Sequence, residues 1–146
     1  MHVELAAVAA AFASTLVAAA PAAAAPVDDE RTAWAKAYER WAVQDARDYT
    51  YRVRIACFCP NRSFVKIRVR AGKPRGTPRS LRPFDTVDKL FARIDEQLDR
   101  GGGAQARYAQ RTGHPRSFSV DPLPDAIDDE YGVTVRDLKI TRRRAG

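Results

Sequence analysis

The sequence predicts an α+β fold of two layers: a meandering antiparallel sheet of about five strands, with two helices packed on one face. Three observations predict it. Residues 48–59 and 63–71 alternate apolar and polar side chains on either side of a Pro-Asn-Arg turn. Residues 84–100 carry a helical apolar stripe. Three further short alternating segments then follow, separated by turn residues. Strands grouped this way, without regular strand-helix-strand alternation, suit an α+β domain.

Each element has its own signal. Residues 28–46 read as a helix that Asp28 or Asp29 can cap. Trp34, Tyr38 and Trp41 recur at helical spacing and form a stripe expected to pack on the sheet; stacking on a ligand is the alternative. In the first strand Tyr49, Tyr51, Val53, Ile55 and Cys57 point one way, and Arg52 and Arg54 the other. In the second, Val65, Ile67 and Val69 point inward, and Lys66, Arg68 and Arg70 outward. "AGKPRGTPRSLRP" reads as a loop. The next helix is capped by Asp85 or Thr86, buries Val87, Leu90, Phe91, Ile94 and Leu98, and stops at Gly101–Gly103. Residues 104–110 form a weak strand. Phe118 and Val120 mark another, and Tyr131, Val133 and Val135 open the last. Leu138 and Ile140 continue the last strand with shifted parity, which predicts a bulge near Arg136.

A length of 146 residues suits one domain. Residues 1–24 form an Ala-rich apolar run ending in small residues, the pattern of a cleaved secretory signal, although Glu4 and the lack of an early Lys or Arg are atypical. Residues 25–146 are then the domain, with a short basic tail. No later stretch is long and apolar enough to span a membrane. The chain is expected to be exported, periplasmic or extracellular, where a disulfide persists.

The only cysteines are Cys57 and Cys59. In an extended strand they lie about 6.6 Å apart on one face, further than most bridges allow, so a bond needs the chain to curl at Pro60 and Asn61. A local disulfide, a redox-active pair, a metal or intermolecular link, and free thiols all stay open. Four-ligand zinc spacing is absent. The acidic loop with Asp121, Asp125, Asp128, Asp129 and Glu130 reads as solvated, with calcium as the alternative. His114, in a "TGHP" turn, is expected to be exposed and inert. There is no nucleophile elbow, no phosphate loop and no paired-carboxylate signature. The sequence therefore predicts no catalytic residue, no metal and no cofactor.

The net charge is +7. Arg52, Arg54, Lys66, Arg68 and Arg70 should project together from the first hairpin, with Arg75, Arg79 and Arg82 in the loop beyond. Like charges placed opposite each other destabilise a sheet, so gathering them points to an anionic partner, against the plainer reading of a solvated face. An anionic polymer, a lipid headgroup or an acidic protein surface fits an exported protein. Nucleic acid is not expected there. The sequence leaves the oligomeric state open.

With these elements in view, the chain resembles a bacterial exported family, the one numbered 6174 among domains of unknown function. "DYTYRVRIACFC" resembles its Tyr-x-Tyr and Cys-Phe-Cys block, and "FDTVDKLFARI" its central helix. "GHPRSFSVDP" resembles a turn where His114 replaces the family's tyrosine, and "DDEYGVTVRDL" resembles its closing strand. The resemblance spans residues 34–140 and implies fold and export, with no activity. The expected role is a binding or structural module, with thiol-redox chemistry at Cys57 and Cys59 as the alternative.

Overall fold

A computed structural model describes residues 27–57, 63–122 and 130–142 of the chain. In order these are α1 (Val27–Ala42), β1 (Tyr49–Ala56), β2 (Val65–Arg70), β3 (Lys73–Arg75), a 3-10 helix (Arg79–Phe84), α2 (Val87–Asp99), β4 (Arg107–Tyr108), β5 (Pro115–Val120) and β6 (Tyr131–Ile140). The strands form one sheet in the order β3-β2-β1-β6-β5-β4. Every neighbouring pair is antiparallel. Two three-stranded meanders are thus joined where the first strand pairs with the last. The α+β class is as the sequence predicts, with six strands in place of about five.

The added strand is β3, in the stretch expected to be a loop. Ala71 and Gly72 both have positive φ, 51° and 75°, as a mirror-image two-residue hairpin turn requires. Asp48 is buried beside this turn and accepts the Ala71 N–H at 2.8 Å. The same stretch also supplies the 3-10 helix, which buries Leu81 and Phe84.

α1 ends earlier than expected because the chain turns at Val43 and Gln44, and Asp45 takes a positive φ of 43°. Asp28 and Asp29 lie inside the first turn, favourable to the helix dipole, and do not cap from outside. α2 follows its pattern closely. Thr86 caps it by accepting the Lys89 N–H at 3.2 Å, and Gly101 ends it with φ 77°. Its five predicted stripe residues are all buried, each burial contributing about 1.5–3 kcal/mol.

The helices cover the inner sheet face, where Tyr49, Tyr51, Val53, Ile67, Val69, Val133 and Val135 are buried. The aromatic stripe of α1 is divided between two surfaces. Trp41 meets Tyr49 edge-on at 5.4 Å. Trp34 stacks on Tyr38, meets Phe91 of α2 edge-on and donates its indole N–H to the Phe91 carbonyl at 3.1 Å. Arg31 ties the helices further through Asp95 and Asp99. The Tyr-x-Tyr pair positions α2. Tyr51 donates its hydroxyl to the Phe84 carbonyl at 2.6 Å, and Tyr49 accepts the Val87 N–H at 3.1 Å. Burial pushes the Tyr49 phenol up to about 12, helped by nearby acids and opposed by the Val87 hydrogen bond. It raises Tyr51 further.

Candidate functional site: the basic face of the sheet

The face away from the helices gathers the cations. The register places Arg52 opposite Lys66 on β2, and also opposite Arg136 on β6. Arg68 faces Arg75, and Arg70 faces Lys73. Thr50 lies between Arg68 and Lys139. Directly paired residues share a face, so the five cations expected from the hairpin do project together. Arg52, Lys66, Arg68 and Arg70 are exposed, and Arg54 is half-buried.

The structure adds cations that the sequence reading left out. Lys73 and Arg75, in the stretch the sequence presents as a loop, join the face by strand pairing. Arg136 and Lys139 arrive through the β1–β6 pairing, which no local pattern reveals. The available signal in β6 was the parity shift, and the bulge falls next to its predicted place. The β1–β6 register slips between Thr50 and Arg52, opposite Asp137, whose φ is 57°.

Asp137 is the only acidic residue in the six strands. It stands 3.8 Å from Arg52 Nε and 3.6 Å from Arg136 Nε, with all three side chains about half exposed. Pairs this long and wet contribute under about 1 kcal/mol. Eight of the described acids lie instead in the helices, with Asp28, Asp29, Glu30 and Glu39 in α1 and Asp88, Asp95, Glu96 and Asp99 in α2. The two layers therefore carry opposite charge bias. Beside Asp137, Thr50, Arg52, Lys66 and Lys139 line a depression of about 330 Å³.

Phe64 supplies an aromatic patch on the same side. The Arg136 guanidinium lies 3.7 Å from its ring centre and that of Arg54 4.7 Å. Arg54 Nε is buried without a hydrogen-bond partner. Stacking fixes both guanidiniums; Arg136 also pairs with Asp137, whereas the Arg54 guanidinium has the ring as its neighbour.

Cys57 sits half-buried at the bend after β1 and is not free. Cys59 lies outside the described residues, as do residues 1–26, Asp125, Asp128, Asp129 and the tail from residue 143. Among the described residues, no three His, Cys, Asp or Glu side chains gather as a metal site. No described helix is long and apolar enough to cross a membrane. His114 corrects the expectation of an exposed ring. It is half-buried in the turn before β5, where burial and then the Arg116 charge lower its pKa to about 4. Its neighbour Gly113 packs so tightly on α1 that a Cβ there would overlap the Ala37 carbonyl oxygen.

Residues 33–140 match the family of unknown function DUF6174. No curated protein and no solved structure matches the chain.

Proposed function

The chain belongs to the DUF6174 family, and from that premise we propose that it is an exported, non-catalytic binding module whose basic sheet face holds an anionic partner. One observation carries this reading. Cations stand directly opposite cations at Arg70–Lys73, Arg68–Arg75, Lys66–Arg52 and Arg52–Arg136 across β3, β2, β1 and β6, with Asp137 as the single carboxylate in these strands. Each such pair costs the sheet a few tenths of a kcal/mol or more. A polyanion would remove that cost on binding and release its own counterions.

The test uses the full chain with sulfated dextran and with phosphatidylglycerol vesicles. If three anionic groups are neutralised, affinity falls roughly thirtyfold between about 50 and 200 mM salt. The Arg52→Ser, Arg54→Ser, Arg68→Ser triple variant should lose most of the binding. Binding indifferent to both salt and these substitutions refutes the proposal.

A second reading is thiol exchange through Cys57 and Cys59, supported by the bend that begins at Cys57. Intact masses after alkylation, with and without prior reduction, test it. A disulfide reduced by glutathione favours exchange, and one that resists reduction below about −300 mV is structural.

A further inference from the structure

The basic face has a period along β2. Lys66, Arg68 and Arg70 lie at every second residue, and each has a cation directly across from it. Arg52 of β1 faces Lys66, Arg75 of β3 faces Arg68, and Lys73 of β3 faces Arg70. All six side chains are exposed. Two-residue steps recur about every 6.6 Å along a strand, and paired strands lie about 4.8 Å apart. The result is a ladder of three cation pairs: Arg68–Arg75 and Arg70–Lys73 lie on the β3 side of β2, about 6.6 Å apart, and Lys66–Arg52 lies on its β1 side, about 8 Å from the nearer of them.

We propose that this ladder seats a linear phosphodiester polymer along β2, with one phosphate held between the two cations of each rung. The proposal rests on the anion-binding reading of the face and deepens it by naming the ligand class. The chemistry favours a phosphodiester in two ways. Arginine forks match phosphate oxygens, and a lysine or second arginine opposite completes the pair. A backbone with three carbons between phosphates spans the step between the two β3-side rungs when nearly extended, and a fully extended link with the long Lys66 and Arg52 side chains leaning inward reaches the third. Polyphosphate, with a single bridging oxygen, is too densely charged to keep that step.

Charge sets the side of the face as well. The lone carboxylate, Asp137, stands on β6, between Arg52 and Arg136. An anion laid over β6 meets its repulsion. Over the Arg68–Arg75 and Arg70–Lys73 rungs of β2 and β3 an anion meets no strand carboxylate, and only the Lys66–Arg52 rung borders Asp137. A flat anionic membrane, in contrast, would draw on Arg136 and Lys139 as much as on the ladder.

Fluorescent abasic oligodeoxynucleotides isolate the test, since they are three-carbon phosphodiesters without bases. Titrated into the full chain, they should gain about tenfold in affinity per phosphate up to three phosphates, then level off. Arg68→Ser and Arg75→Ser should each lower affinity for the three-phosphate oligomer about tenfold, and Arg136→Ser or Lys139→Ser less than about twofold. Polyphosphate of equal charge should compete poorly. Equal competition by polyphosphate, or equal loss from the β6 variants, overturns the ladder while leaving a general anion-binding face. Binding to phosphatidylglycerol vesicles without binding to the oligomers replaces the polymer with a membrane surface. No binding to any of these probes at low salt overturns both the ladder and the broader proposal.

Discussion

His114 gives the protein a dependence on mild acid that can be isolated by one substitution. Its imidazole is half-buried before β5, touches the Thr112 hydroxyl through Nδ1, and has its pKa lowered from 6.5 to about 4, first by burial and then by Arg116. The unfolded chain takes up a proton near pH 6.5, whereas the folded chain does so only near pH 4. Stability from this group is therefore complete above pH 6.5 and lost as pH falls towards 4. The whole difference has a ceiling of about 3 kcal/mol. Because the ring keeps contact with water, about 1–2 kcal/mol is the working expectation. Roughly half should disappear between about pH 6.5 and 5, before most carboxylates titrate. Urea unfolding across that range should show the midpoint falling by about 0.2–1 M. His114→Gln keeps a polar, uncharged side chain and should flatten the profile there. Equal slopes for the two proteins, or an NMR-measured His114 pKa at or above 6.5, would refute the reasoning.

Other substitutions test the framework. Tyr51→Phe strands the buried Phe84 carbonyl and Tyr49→Phe strands the Val87 N–H, so each should cost about 1–2 kcal/mol in urea unfolding. Gly113→Ala forces a Cβ into the Ala37 carbonyl at a positive φ and should cost more than about 3 kcal/mol, while Gly72→Ala, with open space around it, should cost only about 1–2. Raised phenol pKa values at Tyr49, Tyr51 and Tyr108, each caused first by burial, keep their stabilisation below pH 10 and lose it as pH rises further. Unfolding followed by near-ultraviolet absorbance should thus steepen above pH 10, by about 1.4 kcal/mol per pH unit for each phenol.

The legible parts of this fold are those decided locally. β1, β2 and α2 announce themselves because side-chain periodicity and burial agree residue by residue. Thr86 and Gly101 punctuate α2 with their own chemistry. β3 is hidden because its turn begins with Ala71, where Asn or Asp would be the recognisable choice. The burial of His114 is hidden because its turn is held against α1, remote in sequence, at Gly113. The candidate site divides along the same line. Its hairpin cations follow from alternation alone. Arg136 and Lys139 reach the face only through β1–β6 pairing, and Lys73 only through the unrecognised hairpin. Asp137, which biases the charge across the face, sits at the bulge that the parity of Leu138 does foretell.

Both borders of the sheet are ill-suited to recruiting another strand. β3 has three residues, with Pro74 at its centre and Lys73 and Arg75 on either side. Proline offers no N–H, and charge repels an incoming copy. β4 has only two residues, too few to template a neighbour. A protein with this much extended backbone would otherwise invite edge-to-edge growth into fibrils. Here main-chain recognition by strand addition is closed at both ends, so whatever docks on the sheet must do so through side chains. Selectivity for a partner then resides in the placement of guanidinium and ammonium groups, where surface substitutions can retune it without disturbing the core.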